Sequence, residues 1–117
     1  MSRSPHENLA QRLKNEIIIG DGAMGTQLYS RGVSLDANFE HLNLVRPQLV
    51  SDVHADYIQA GAQLIETNSF AANAARLGTI GLGHKVSQIN QAAARLAREV
   101  AGSSVLVAGS VGPLVRS

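Results

Sequence analysis

Short β-branched runs and longer helical stripes alternate along this chain, and each run ends in glycine or polar residues. Leu9 and Leu13 stand four apart among polar neighbours, which predicts a weakly amphipathic helix from Glu7 to Asn15. Ile17, Ile18 and Ile19 follow and read as a buried strand. In Gly20-Asp21-Gly22-Ala23-Met24-Gly25-Thr26, three glycines within six positions break regular structure and allow a sharp turn, so this segment reads as a loop at a strand's carboxyl end. No convincing periodicity opens a helix at Gly25.

Pro47 suits a first helical turn. Leu49, Val50, Val53, Tyr57 and Ile58 then recur at helical spacing, predicting a helix from about Pro47 to Ala60 with Gly61 as its C′ residue. Leu64 and Ile65 read as a short strand that ends in Glu66-Thr67-Asn68. Val86, Ile89, Ala93, Leu96 and Val100 alternate three and four apart, forming a stripe that stops at Gly102. It leads into Val105-Leu106-Val107-Ala108, the apolar run of a parallel strand covered on both faces, and then into Gly109-Ser110-Val111-Gly112-Pro113.

Three strands separated by helices, each followed by a loop able to carry chemistry, place this chain in the α/β class with its site on the carboxyl edge. A doubly wound sheet and a (β/α)8 barrel both fit. Three strands cannot close a barrel, which takes about 250 residues, so a barrel fold would make this chain incomplete. No internal domain boundary or side-chain repeat is visible.

Composition narrows the class. Of 117 residues, 44% are hydrophobic and 16% charged, the balance of a globular chain and not a disordered one. Aromatics at 3% leave the core to Ala, Val, Leu and Ile. A net charge of +1 is too small to imply steering toward nucleic acid or a membrane, and neither is expected as a partner. No apolar run approaches the roughly 20 residues that span a bilayer. Residues 1–16 lack a secretory h-region, so a cytoplasmic location is expected. The absence of cysteine excludes disulfides and a thiolate metal site in this chain. His6, His41, His54 and His84 have no metal-ligand spacing and read as surface or helix-face residues.

The loops are the candidates for chemistry. Asp21 offers a carboxylate beside backbone that a ligand can approach closely. It suits an ammonium group, or else simply binds loop amides. Gly20, Gly22 and Gly25 imitate a dinucleotide fingerprint, with Asp36 and Glu40 as candidate acids, but no second short strand presents either acid. Glu66-Thr67-Asn68-Ser69-Phe70 is more polar than a turn requires and suits a small polar ligand, although Ser, Thr and Asn also cap helices. Phe70 reads as core.

Taken together and in order, the loops Gly20 to Thr26, Glu66 to Asn73 and Gly109 to Pro113 resemble those of the homocysteine-binding domain family of S-methyltransferases. Asn43, Arg46-Pro47, His54 and Tyr57 are similar to the family's intervening helix, so the resemblance runs from about Leu9 to Pro113. It implies that residues 1–117 are the amino-terminal part of a homocysteine-binding domain, the first three β/α units of a (β/α)8 TIM-type barrel. The implied activity is methyl transfer from a donor to the zinc-bound thiolate of homocysteine, forming methionine. A metal lowers the pKa of a thiol and makes its sulfur nucleophilic at neutral pH. Carried over by position, Asp21 faces the substrate amino group, Gly22 lends backbone, and Thr67 and Asn68 line the substrate end. The family's three cysteine ligands have no counterpart here. The resemblance therefore implies that zinc is held by residues beyond Ser117, that the remaining strands or further domains are partners, and that the chain alone is inactive. A non-catalytic amino-acid-binding module and a nucleotide-binding α/β domain are the alternatives.

Overall fold

The computed structural model describes residues 8–114, so Glu7 of the first predicted helix and Val115 to Ser117 lie outside the description. The element order is α1 (Leu9–Asn15), α2 (Met24–Ser30), α3 (Leu42–Val45), α4 (Pro47–Gln59), β1 (Leu64–Glu66), α5 (Ala74–Gly78), a 3-10 turn (Gly83–Lys85), α6 (Val86–Ala101) and β2 (Leu106–Ala108). Helix α4 begins with Pro47 in its first turn, as its sequence predicts. Gly61 and Gly102, just past α4 and α6, take positive φ of 116° and 61°, a conformation in which a Cβ is strained.

Strands β1 and β2 pair in parallel, with Leu64 opposite Leu106, Ile65 opposite Val107 and Glu66 opposite Ala108. The expected third strand is reduced. Ile17 to Ile19 form no ladder, and a single parallel bridge joins Gly20 to Leu64. The cause is local: the Ile19 N–H donates to the Gln63 side-chain oxygen at 2.9 Å instead of to a strand carbonyl. The Ile19 carbonyl still accepts from the Gln63 and Leu64 N–H groups at 2.7 and 3.2 Å, which keeps the segment alongside β1. Burial of this run is also not found, since Ile17 is 89% and Ile19 58% exposed.

Helices α4 and α6 cover one face of the sheet. Ile65 packs there with Ala97, Ala101 and Val105, flanked by Ile58, Ala62 and Val107. Alanines at 92, 93, 97 and 101 are all buried on α6, and their small side chains bring its axis close to α4 and the strands. A second cluster, built from Leu28, Val33, Leu42, Val50, Val53 and Leu96, joins α2, α3, α4 and α6. A third links Leu77 of α5 to Ile89 and Ala72. Among the described residues, no helix is long and apolar enough to cross a membrane.

Helix α2 overturns the expectation that no helix opens near Gly25. It begins at Met24, is seven residues long, and buries only Leu28. So short a helix shows one apolar contact instead of a repeating stripe. It is held by packing on the α3–α4 cluster, not by propensity.

His54 also departs from a surface reading. It is fully buried on α4, and neither ring nitrogen has a hydrogen-bond partner. Burial pushes its pKa from 6.5 down to about 4, because charging the ring would strand an imidazolium in apolar surroundings. Between these values the unfolded chain binds the proton and the folded chain does not, so stability is full above pH 6.5 and falls as pH drops toward 4. The cost is about 3 kcal/mol. Urea titrations across this range should show a loss of that order for the native chain, and a correspondingly smaller loss for His54→Leu. Parallel pH profiles for the two proteins would refute the assignment.

Candidate functional site at the strand carboxyl ends

The parallel register brings three loops side by side. Asp21 follows the Gly20 bridge, Thr67 follows β1, and Gly109-Ser110 follows β2. Between them lies a concavity of about 290 Å³, whose wall includes Asp21, Gly22, Phe39, Glu40, Glu66, Thr67, Asn68, Phe70 and Ser110. The four residues singled out in the sequence, Asp21, Gly22, Thr67 and Asn68, are thus brought together on one cavity.

One oxygen of Asp21 has a partner and the other does not. Oδ2 accepts the Glu66 backbone N–H at 3.0 Å, whereas Oδ1 is sealed from solvent with no hydrogen-bond donor. Burial raises the pKa of the Asp21 carboxyl; the Glu66 N–H opposes this, the nearby Glu66 charge adds to the rise, and Asp21's own backbone N–H lowers it in turn. Glu40 and Glu66 add two further carboxylates to the wall, and among the described residues no Lys or Arg lines it. The rest of the wall combines polar loop residues with Ala23, Met24, Phe39 and Phe70.

Gly22 sits under Tyr57. A Cβ built there would lie 2.8 Å from the Tyr57 hydroxyl oxygen, and that hydroxyl donates to the Ala23 carbonyl at 2.8 Å. Glycine thus lets α4 clamp the first loop from behind. Gly112 does the same between the other two loops: its N–H donates to the Phe70 carbonyl at 2.9 Å, and a Cβ would fall 2.3 Å from that oxygen.

Thr67 is buried, and its hydroxyl belongs to a closed relay. The Ser110 N–H donates to Thr67 Oγ1 at 3.0 Å, and Ser69 Oγ donates to the Ser110 carbonyl at 2.8 Å. Thr67 Oγ1 and Ser69 Oγ are 2.6 Å apart. Because Ser69 has already spent its single proton, Thr67 must be the donor in that contact. The ring ties the β1 loop to the β2 loop and leaves neither hydroxyl with a free proton.

Asn68 is 4% exposed and engages Asn43, itself 1% exposed. Asn68 Nδ2 donates to Asn43 Oδ1 at 3.0 Å and to the Phe39 carbonyl at 2.9 Å, and Asn43 Nδ2 donates to the Asn68 carbonyl at 2.8 Å. Sequence reasoning noted Asn43 only as part of a likeness. Its signal was an amide set inside the apolar run Leu42-Asn43-Leu44-Val45, where burial demands partners. Phe39, Ser69 and Ser110 were likewise not singled out individually as site residues, and Glu40 was considered only as the acid of a dinucleotide fingerprint. Phe70 is not core: it is 48% exposed and lines the cavity.

Among the described residues, no three His, Cys, Asp or Glu side chains stand together as a metal site. The sequence has no cysteine, so the residues of this chain do not fit a thiolate-held zinc.

Comparison with known proteins agrees with the geometry. Residues 18–117 match the family profile described as homocysteine S-methyltransferase. The chain is 38% identical over 120 residues to methionine synthase of Mycobacterium leprae (strain TN), covering 92% of this chain and 10% of that protein. It is 36% identical over 119 residues to methionine synthase of Mycobacterium tuberculosis (strain ATCC 25618 / H37Rv), covering 91% of this chain and again 10% of the relative. The chain therefore spans about a tenth of the length of these curated relatives. Among solved structures, the metallated form of the homocysteine methyltransferase MmuM from Escherichia coli superposes with a TM-score of 0.75 at 34% identity, covering 91% of this chain and 41% of that one. Its oxidized form gives 0.76 at 32%, covering 95% and 41%. A profile match over most of the sequence, with three loops meeting at one acidic cavity, settles the family: this chain belongs to the homocysteine S-methyltransferases.

Proposed function

We propose that this chain supplies the amino-acid end of the substrate site in a homocysteine S-methyltransferase, whose reaction moves a methyl group from a donor to the sulfur of homocysteine and yields methionine. The observation that carries this reading is the partly desolvated Asp21 carboxyl on a cavity whose described lining holds Asp21, Glu40 and Glu66 and no Lys or Arg. A partly desolvated carboxylate is costly, and an ammonium in the cavity offsets that cost by charge attraction. Gly22 provides close backbone approach, Thr67 holds the two loops at their spacing, and Asn68 lines the substrate end.

Zinc would supply a lowered thiol pKa in the complete enzyme, but this chain, without a cysteine, offers no thiolate to hold it. The two parallel strands and the Gly20 bridge are read as the opening units of a (β/α)8 barrel, with the remaining strands or further domains of a parent protein as partners. The same cavity disfavours a nucleotide, since a phosphate would face three carboxylates with no cation to meet it.

Calorimetry of the 117-residue chain should register homocysteine binding without added zinc, and Asp21→Asn should weaken it by at least about tenfold. Absence of binding by the native chain, or equal binding by the variant, would overturn the assignment. The same variant separates function from stability. Because the raised pKa of Asp21 penalises its charged form, the native chain loses stability as pH rises from the ordinary aspartate value of 3.8 through its folded value. Asp21→Asn should therefore melt higher than the native chain at pH 7, with the gap closing as pH is lowered toward 3.8.

A further inference from the structure

We propose that Asn43 is a positioning residue that fixes the Asn68 carboxamide so that its oxygen, and not its amino group, is offered to the cavity. The proposal rests on the reading of that cavity as an amino-acid site, and it names what makes the Asn68 corner selective for a donor such as an ammonium.

Asn68 has two N–H groups on Nδ2, and both are spent, one on the Phe39 carbonyl and one on Asn43 Oδ1. Asn43 is fully committed as well: its own N–H groups go to the Asn68 carbonyl at 2.8 Å and the Ile89 carbonyl at 3.3 Å, while its oxygen receives Asn68. Turning either amide over would set oxygen against carbonyl oxygens at these distances, so the orientation of each is determined by the other. This leaves Asn68 Oδ1 as the one side-chain polar atom of the pair with no hydrogen bond among the described residues, and it is not among the atoms sealed from solvent.

The link also reaches the scaffold. Ile89 is a fully buried residue of α6, the longest helix, so the Asn43 amide is anchored to the core. Through Asn68 it holds the Phe39 carbonyl, and the Phe39 ring lies against Gly25. Without Asn43, the Asn68 amide keeps one partner, and its amino group is free to turn toward the cavity. A corner that accepted a hydrogen bond would then donate one, which repels an ammonium.

Two measurements test this on the full chain. In the native protein, the Asn68 side-chain amide protons should exchange with solvent slowly in NMR, and Asn43→Ala should make them exchange rapidly while backbone amides of α4 and α6 stay protected. Fast exchange in the native chain, or no change in the variant, overturns the proposal whether or not any ligand binds. Calorimetry with homocysteine and with its analogue lacking the amino group, 4-sulfanylbutanoate, supplies the functional readout. Asn43→Ala should weaken homocysteine by about tenfold and leave the analogue unchanged, so that discrimination collapses. An equal loss for both ligands would mean a merely structural role and also overturns it. If Asn43→Ala does not fold, Asn43→Ser, whose hydroxyl retains one donor, serves in both measurements. Should the native chain bind no homocysteine, the amino-acid-site reading fails, and amide exchange alone decides the positioning role.

Discussion

The reciprocal carboxamide pair of Asn43 and Asn68 is the constraint on which the site depends. Two amides, 1% and 4% exposed, can be buried only if their hydrogen-bonding groups are matched, since each unpaired buried group costs about 1–3 kcal/mol. The match demands that α3, the loop after β1 and the carbonyl of Ile89 on α6 meet at one point. Apolar packing alone tolerates sliding by an ångström or so; four directional bonds do not. The long connection from α2 to α4 thereby acquires a defined course and carries Phe39 and Glu40 to the cavity wall.

A second set of polar contacts does for the strand ends what the amides do for the helices. The Thr67, Ser69 and Ser110 ring and the Gly112 to Phe70 bond join the second and third loops, and the Asp21 carboxylate joins the first to the second through the Glu66 N–H. Most hydroxyls and amides of these loops are thus spent on geometry. Among the side-chain acceptors left without a partner are Asp21 Oδ1 and Asn68 Oδ1, on residues that line the same cavity. A loop rich in Ser, Thr and Asn is not by that fact rich in free ligand contacts, and only the bookkeeping of protons separates the two.

The same distinction explains what was legible in the sequence. Helices α4 and α6 could be read because their side chains repeat on one buried face, strands β1 and β2 because each lies in a short apolar run, and Pro47, Gly61 and Gly102 mark helix ends by backbone geometry alone. The short helices α2, α3 and α5 were not legible, since four to seven residues bury only one or two side chains and show no period. Ile17 to Ile19 misled in the opposite sense. Three β-branched residues announce a strand, but a ladder also needs a backbone acceptor for each N–H, and here the Gln63 side chain intervenes. Of the site, Asp21, Gly22, Thr67 and Asn68 were placed on one cavity by strand order. Asn43 escaped because its partners lie 25 and 46 positions away.

The energetic logic of the cavity runs against the stability of the empty fold. Asp21 is held partly desolvated beside another carboxylate, with one oxygen sealed from solvent. Tyr57 packs over the neighbouring Gly22, and its hydroxyl donates to the Ala23 carbonyl. Fold energy from the α2–α4 cluster, in which both Met24 and Tyr57 take part, is thus used to keep a carboxylate in an unfavourable place. On the proposed reading an ammonium in the cavity relieves it, because a group strained in the free state and satisfied in the bound state converts packing energy into affinity and selectivity. The burial of His54 one turn earlier on α4 has no such relief, since neither of its nitrogens meets a partner or a cavity wall residue by hydrogen bond. It stays neutral and acts as an apolar filler, whereas Asp21, only partly buried, belongs to the wall of the cavity between the three loops.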